Sequence, residues 1–579
     1  MGVKVVRTNI SNPLDNYVTK ITEDGVINKN DKENLAKLKA EILKDKKIDE
    51  TELNYIEKLE LGAVLSEKST KPLIVKLFDD LSKVATPDQK KTLVNIKNNL
   101  LNDLQDLSKL KMQTIKTSQP DSIEPEDASR VLKEVYMNIF NSDDITSYDY
   151  VRDMLKVGMQ ENFKIIVQIP QDMDEAKLKE QFTKDLNITP EQLNNYVKIL
   201  KANKMQSIWI EDRQYFVGNK LKVPAPASGD ACSNAQKFTE NEGVHRLDIP
   251  EAKQFQGAVS LRKEQETAKE LKKSGIEVQE AKTYMEGGNV VSGTLPNGER
   301  YSLVGRDSLI ISYFHLEETG AFKSDEVSKK TADLKKQGKL TEDVINKQIQ
   351  QLEAKKMLIT SDDIKNKRQQ LNQNLTDDQV KKIIAQEFIA KLDITKELMA
   401  KDLGIKYENL NIISQPDFHI DMHIRPVGAG QIMVNDYGAS IKLLKEVLSK
   451  PGLSTDERYT LQDMIKFARE HHNKADIVTD EIVKELEKSG FKVIRTPGVF
   501  EGGNFKINFM NAVPAKNTKD EMYYITNSCP SRLQNLAKAY EKHMQDMNIK
   551  VYYVGGERVQ DSLESWGGLD CRTVEVSQK

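Results

Sequence analysis

Phe163-Lys164-Ile165-Ile166-Val167-Gln168-Ile169, followed at a short distance by Thr189-Pro190-Glu191-Gln192, sets the class of this fold. The first run is rich in β-branched side chains and strand-sized. The second is a capping box with proline at the first helical position, so a helix is expected to open there and run to Leu200. Working outward, further short strands are expected at Gln206 to Ile210, Val290 to Ser292, Ser308 to Tyr313, Gln431 to Val434, Lys492 to Arg495, Tyr523 to Thr526 and Lys550 to Val554. Short strands alternating with helical stretches over about 420 residues mean an α/β domain, taken here as residues 126–579.

Two regions depart from that alternation. Residues 1–112 read as a helical domain, with Leu93, Ile96, Leu100, Leu104, Leu107 and Leu110 at helical spacing after Pro87. Asp24-Gly25-Val26-Ile27 and the run from Lys44 to Glu52 look like the second halves of EF-hand loops. Lys20 and Thr22 stand where the first copy needs its leading ligands, so a degenerate helix-turn-helix pair fits better than a calcium site. Residues 113–125, with Pro120 and Pro125 among polar residues, form a linker. From Lys323 to Leu403 the chain is rich in Lys, Glu, Asp and Gln, with helix-start signals at Thr341, Ser361 and Thr376, and is expected to be a helical insertion.

Composition narrows the function. With 86 basic and 89 acidic residues spread evenly over 579, there is no clustered cationic surface for nucleic acid. No apolar run approaches a membrane span, and Met1 to Asn9 lacks the basic and apolar regions of a secretory signal. A cytoplasmic location is the expectation, although an effector-type export signal would leave no such trace. The three cysteines, Cys232, Cys529 and Cys571, are widely separated, which speaks against a disulfide framework and a zinc site and leaves a candidate nucleophile.

Four motifs carry chemistry. In chain order they are Ser207-Ile208-Trp209-Ile210-Glu211-Asp212-Arg213, Glu286-Gly287-Gly288-Asn289, Phe418-His419-Ile420-Asp421-Met422 and Gly567-Gly568-Leu569-Asp570-Cys571-Arg572-Thr573. Each alone has a bland reading: a turn-capping aspartate, a tight glycine turn, two side chains on one strand face, an inert thiol. Glu-Gly-Gly-Asn recurs at Glu501 to Asn504, which favours a structural turn for at least one copy.

Taken in order, the four resemble the guanidino-group-modifying superfamily of agmatine, arginine and peptidylarginine deiminases and amidinotransferases. Phe505 to Pro514 is also similar to an Asn-rich strand of agmatine deiminases. The resemblance spans about Phe163 to Val576 without the insertion, and implies a pseudo-fivefold α/β propeller around a central site. It implies Cys571 as nucleophile, His419 as acid/base oriented by Glu286, and Asp212 and Asp421 as the carboxylates that hold a guanidinium, with no metal or cofactor. Asn289, in place of the aspartate of arginine deiminases, points towards agmatine and peptidyl-type enzymes and is placed with Trp209 at the substrate. Trp209 and Trp566 either wall the pocket or pack in the core. The first motif departs from the agmatine deiminase pattern around its aspartate, which leaves Glu211 as the alternative to Asp212.

These residue types suit the chemistry. A guanidinium is planar and always charged, and two carboxylates can each accept two of its parallel N–H bonds. The expected reaction is hydrolytic deimination of an arginine residue or derivative to citrulline or a ureido product plus ammonia, through a covalent thiouronium, leaning to peptidyl arginine. Two carboxylates beside a thiol would push its titration up. Amidino transfer, a small-molecule agmatine or arginine deiminase and a catalytically inert interaction protein are the alternatives. Arg213, Arg425 and Arg572 flank the motifs, and which of them points inward is open.

Overall fold

The computed structural model describes residues 13–22, 26–27, 29–62, 65–66, 70–101, 121–202, 208–239, 272, 277–565 and 567–577. Met1 to Asn9, most of the linker, Trp566, and Leu104 to Leu110 lie outside them. The chain divides into two compact units, residues 1–109 with 438–469 and residues 110–437 with 470–579.

In the first unit, helices Pro13–Thr22, Lys32–Ile42, Glu50–Gly62, Lys71–Leu81 and Pro87–Leu101 bury one apolar stripe each, around Ile21, Leu38, Ile56, Phe78 and Leu93. The Glu52 carboxylate accepts from the Asp49 backbone N–H, and Asp49 accepts from that of Glu52. A reciprocal cap of this kind starts the helix.

The second unit is mixed α/β, built from small sheets that repeat one pattern. Sheet A is Tyr215–Val217, Lys220–Val223 and Val278–Glu280. Sheet B is Val290–Thr294, Arg300–Gly305 and Leu410–Ile413. Sheet C is Ile424–Gly428, Gln431–Asn435 and Lys492–Thr496, and sheet D is Ala512–Lys516, Met522–Asn527 and Ile549–Val554. Each begins with an antiparallel hairpin, and its second strand pairs in parallel with a third that arrives after one or more helices. Sheet E follows suit with the C-terminal strand Val574–Ser577 antiparallel to Leu132–Asn138, which pairs in parallel with Lys164–Pro170 and then Val197–Ala202. Parallel pairing needs such a crossover and buries both faces, which explains the nearly unbroken burial of these strands.

Neighbouring sheets share apolar cores. Phe216 and Leu221 of A meet Val574 of E, Tyr215 and Val217 of A meet Val290 and Val304 of B, and Val291 and Leu303 of B meet Ile432 and Val434 of C. Val513 and Ile525 of D share a core with Val135 and Val167 of E. Between C and D, the buried Arg425 donates from Nε to the Met510 carbonyl at 3.3 Å.

Three sequence expectations are corrected. Residues 308–313 are not a strand but the middle of helix Arg306–Glu318, whose apolar side chains are buried nearly all round. A short, fully buried apolar run has no periodicity to tell the two apart. The helix from Pro190 stops at Tyr196, and Val197–Ala202 pairs with Lys164–Pro170 instead, where branched Val197 and Ile199 pack well. Residues 208–210 are irregular and lead into the turn Glu211–Arg213.

Between Lys323 and Leu403 lie helices Ser324–Lys336, Glu342–Lys355, Ser361–Leu371 and Asp377–Asp402. Thr341, Thr360 and Thr376 cap the last three, so one start lies a residue before Ser361. The last of them is no loose appendage: Val380 and Phe388 pack with Ile310 and Phe314, and Met399 with Val290 and Val304. No helix among the described residues is long and apolar enough to cross a membrane.

Candidate active site

The first hairpin strand of each of sheets A to E is entered through a tight turn, and these five turns bring their side chains together. Glu211–Arg213 precedes sheet A, Gly287–Asn289 sheet B and Asp570–Arg572 sheet E, all three as 3-10 turns. His419 and Asp421 precede sheet C, and Asn508 to Asn511 precede sheet D. The turns are tied through backbone and amide groups: the Asp421 N–H donates to the Gly288 carbonyl at 3.1 Å, and the Asp570 N–H to Asn511 Oδ1 at 2.8 Å.

The glycines follow from this crowding. A Cβ on Gly288 would overlap the His419 ring, one on Gly287 the Glu211 backbone, and one on Gly567 the Trp209 ring. The second Glu-Gly-Gly-Asn is a different object. There Gly503 and Asn504, both with positive φ, form the two-residue loop of the hairpin Val499–Gly502/Phe505–Asn508.

At the centre, His419 Nε2 lies 3.1 Å from Glu286 Oε2, and Nδ1 lies 3.5 Å from Asp212 Oδ1. The Cys571 thiol donates to Asp421 Oδ2 at 3.4 Å. His419 and Asp421 are 0% exposed and Cys571 1%. Burial would lower the affinity of His419 for a proton, but Asp212, Glu286 and Asp421 outweigh it and raise the imidazole to about 9. Burial, then the Asp421, Asp212 and Glu211 carboxylates, push the thiol well above its ordinary range. Neighbouring carboxylates act in the expected direction, and burial acts with them. The resting pair is therefore an imidazolium beside a neutral thiol.

Asn511 belongs to this centre and is not singled out by the sequence. Its Nδ2 donates to Asp421 Oδ2 and, at 3.4 Å, to Cys571 Sγ. Only the clustering of asparagines in the Phe505 to Pro514 stretch hints at it. Asn527 supports it, donating to the carbonyls of Asn508 and Asn511 while accepting from the Leu569 N–H and the Tyr150 hydroxyl.

The remaining candidates are placed as follows. Asn289 is buried, and its Oδ1 lies where a Cβ on Gly305 would stand, beside Gln415. Trp209 is half-buried and stacks on the Arg572 guanidinium, 4.6 Å from ring to Cζ. Arg572 also lies over the Tyr150 ring and donates to Ser562 and Ser147. Arg425 is fully buried and paired with Glu126 and Asp570. Both arginines are thus committed to the scaffold.

Among the described residues, three sets of side chains lie close enough to share an ion: Asp212, His419 and Cys571; Glu211, Asp421 and Cys571; and Glu126, Glu211 and Asp570. In the first, an imidazolium has no lone pair to offer a metal.

No protein-family model matches the sequence, and no curated protein does. Among solved structures, the chain is similar to an agmatine deiminase of C. jejuni, with 12% identity and a TM-score of 0.36 over 79% of this chain and 96% of that one. It is similar also to a protein provisionally described as an agmatine deiminase, with 12% identity and a TM-score of 0.40 over 81% and 100% of the two chains. At so slight an overlap, the reading of the site rests on its own geometry.

Proposed function

We propose that this chain is a cysteine hydrolase and that its substrate group is a guanidinium. The observation that carries the reading is a buried thiol that donates to Asp421, close to a buried imidazole whose two nitrogens lie against Asp212 and Glu286. A protease-like centre needs no such excess of negative charge, whereas a cation entering it is both bound and useful. Docked between Asp212 and Asp421, a guanidinium offsets the charges that hold the Cys571 proton; that proton leaves to water as the cation binds and returns when the product departs, so the substrate helps create its own nucleophile.

The steps balance. The thiolate attacks the guanidinium carbon, one amino group takes the proton of His419, and the C–N bond breaks to release ammonia and leave a thiouronium on Cys571. Water then adds to that carbon, giving one proton to His419, and the C–S bond breaks to free the thiolate and a ureido product that still carries an extra proton, which it gives up so that the released ammonia becomes ammonium. The sum is guanidinium plus water to urea plus ammonium. Glu286 keeps the ring oriented and Asn511 steadies the thiolate.

The propeller reading belongs here too. Five sheets of one pattern, each sharing packing with the next, and five entry turns with convergent side chains are what a pseudo-fivefold α/β propeller would have. With Arg425 and Arg572 occupied, neither serves a substrate α-carboxylate; the side chain of Arg213 lies outside the described residues.

Ammonia and ureido product are to be measured with arginine, agmatine and an arginine peptide, without any acceptor amine. Turnover on one of them, abolished by Cys571→Ala and retained by Cys529→Ser, is expected, with a loss on the order of 10⁴-fold or more. Turnover that survives Cys571→Ala overturns the assignment, and product that appears only with an added amine would make the enzyme an amidinotransferase.

A further inference from the structure

Beside the nucleophile turn lies a small cavity. It holds about 30 Å³, room for about two water-sized groups, and Thr573, Val574 and Gly287 form part of its wall. Four of its lining residues, each at least nine-tenths buried, carry a buried polar atom with no partner: Glu211 Oε2, Tyr215 Oη, Glu575 Oε1 and Arg130 Nη2. Buried polar groups are normally satisfied, and so many orphans on one small cavity call for a guest.

The charge says what guest. Glu124, Glu126, Glu211 and Glu575 line the cavity against Arg130 alone. Arg130 already pairs with Glu575 through Nη1, and Arg425 with Glu126 and Asp570. Glu124 and Glu211 form no ion pair among the described residues, and Glu211 is the buried one of the two; with Tyr215 Oη and Glu575 Oε1 it offers acceptors to a small, singly charged cation that donates hydrogen bonds, whereas Arg130 Nη2, a donor, is not served by such a guest. Glu211 also lies between the two places, its carboxylate within 4.8 Å of Cys571 and Asp421 in one direction and of Glu126 and Asp570 in the other.

We propose that this cavity is an ammonium site, and that it receives the ammonia released at Cys571; the second clause rests on the deimination proposed above. Ammonia leaving the thiouronium carbon reaches Glu211, takes the proton of its carboxyl group, and is held as ammonium beside the resulting carboxylate, with Tyr215 and Glu575 as further acceptors. Burial, and then Asp570, Asp421 and Glu126, hold the Glu211 carboxyl above its ordinary range, so it has a proton to give. Removing the product sideways keeps it from competing for the Asp212–Asp421 clamp while water attacks.

Binding of ¹⁵N-ammonium chloride to the full chain, read by NMR line broadening in the absence of any guanidine, tests the site apart from turnover. Saturable binding is expected, weakened about tenfold by Tyr215→Phe and more by Glu211→Gln. Tyr215→Phe removes a hydroxyl with no partner in the protein, so the fold has nothing to lose by it. Absence of saturable binding, or binding indifferent to both substitutions, overturns the site, as does displacement of ammonium by an equal concentration of potassium. Turnover without ammonium binding removes the site and keeps the deimination; ammonium binding without turnover on any guanidine does the reverse.

Discussion

Gly288 shows how much of this centre is decided by single residues. The His419 ring occupies the space where a Cβ would stand, so Gly288→Ala must displace the imidazole from Glu286 and Asp212. A shift of about 1 Å at such a group costs about 100-fold in kcat/KM, and that is the loss expected on whichever guanidine turns over. An unaltered rate would mean that His419 has no role in proton transfer. The same histidine should mark the pH dependence of stability. Its proton affinity is raised in the fold, to about 9, so the folded state favours the charged form. The stabilisation is complete below about 6.5 and is lost as the pH rises to about 9, a loss on the order of 3 kcal/mol. Urea midpoints at those two pH values should fall further in the native chain than in His419→Gln. Equal falls would show that the imidazolium is not held as described.

At the scale of elements, what holds the centre is the way two turns are pinned by one side chain. Asn527, on the middle strand of sheet D, spends both amide hydrogens on the Asn508 and Asn511 carbonyls and its oxygen on Leu569 N–H and Tyr150. Asn527→Ala leaves three buried backbone groups and one hydroxyl without partners. A cost of about 3–5 kcal/mol is expected in chemical denaturation, with an activity loss at temperatures where the variant is still folded. A change within about 0.5 kcal/mol would mean that the turns hold themselves. This is also the scale at which sequence reading was least secure. The second and third strands of sheets C and D are close to their expected bounds, because apolar and β-branched runs bounded by turn residues signal them directly, whereas the first strands, Ile424–Gly428 and Ala512–Lys516, were not expected as such. Residues 308–313 went the other way, since an apolar run buried on every side is compatible with either state until its neighbours are known.

For the whole molecule, the helices between sheet B strands Arg300–Gly305 and Leu410–Ile413 pose the question of substrate size. Helix Asp377–Asp402 is part of the core; Leu352 of Glu342–Lys355 and Ile364 of Ser361–Leu371 pack in one cluster with Ile310, Phe314 and Phe388, and Val327 and Leu334 of Ser324–Lys336 pack with Ala390 and Ile394. Replacing residues 323–375 by a Gly/Ser linker removes a surface and also uncovers Ile310, Phe314 and Phe388, so the variant is to be compared only at a temperature where circular dichroism shows it folded. If that surface helps to bind a peptide, activity on an arginine peptide should fall at least tenfold more than on a small guanidine, because remote contacts are lost while the reacting groups stay. Equal losses would mean the three helices only support the fold; undiminished peptide turnover would point to a small-molecule enzyme.

The sequence alone determined the α/β class, the helical character of the N-terminal part and the four motifs, because each depends on neighbours within a few residues: a capping box, a two-residue period, a glycine turn, a thiol in a defined stretch. It could not place Asn511 at the nucleophile, commit Arg425 and Arg572 to the scaffold, or collect Glu211, Tyr215, Glu575 and Arg130 around one cavity. Those facts join side chains separated by tens to hundreds of positions, and charge and hydrogen bonding act through space. Only the folded chain, by bringing five distant turns to one point, decides which carboxylate meets a proton, which meets an arginine and which is left to hold a guest.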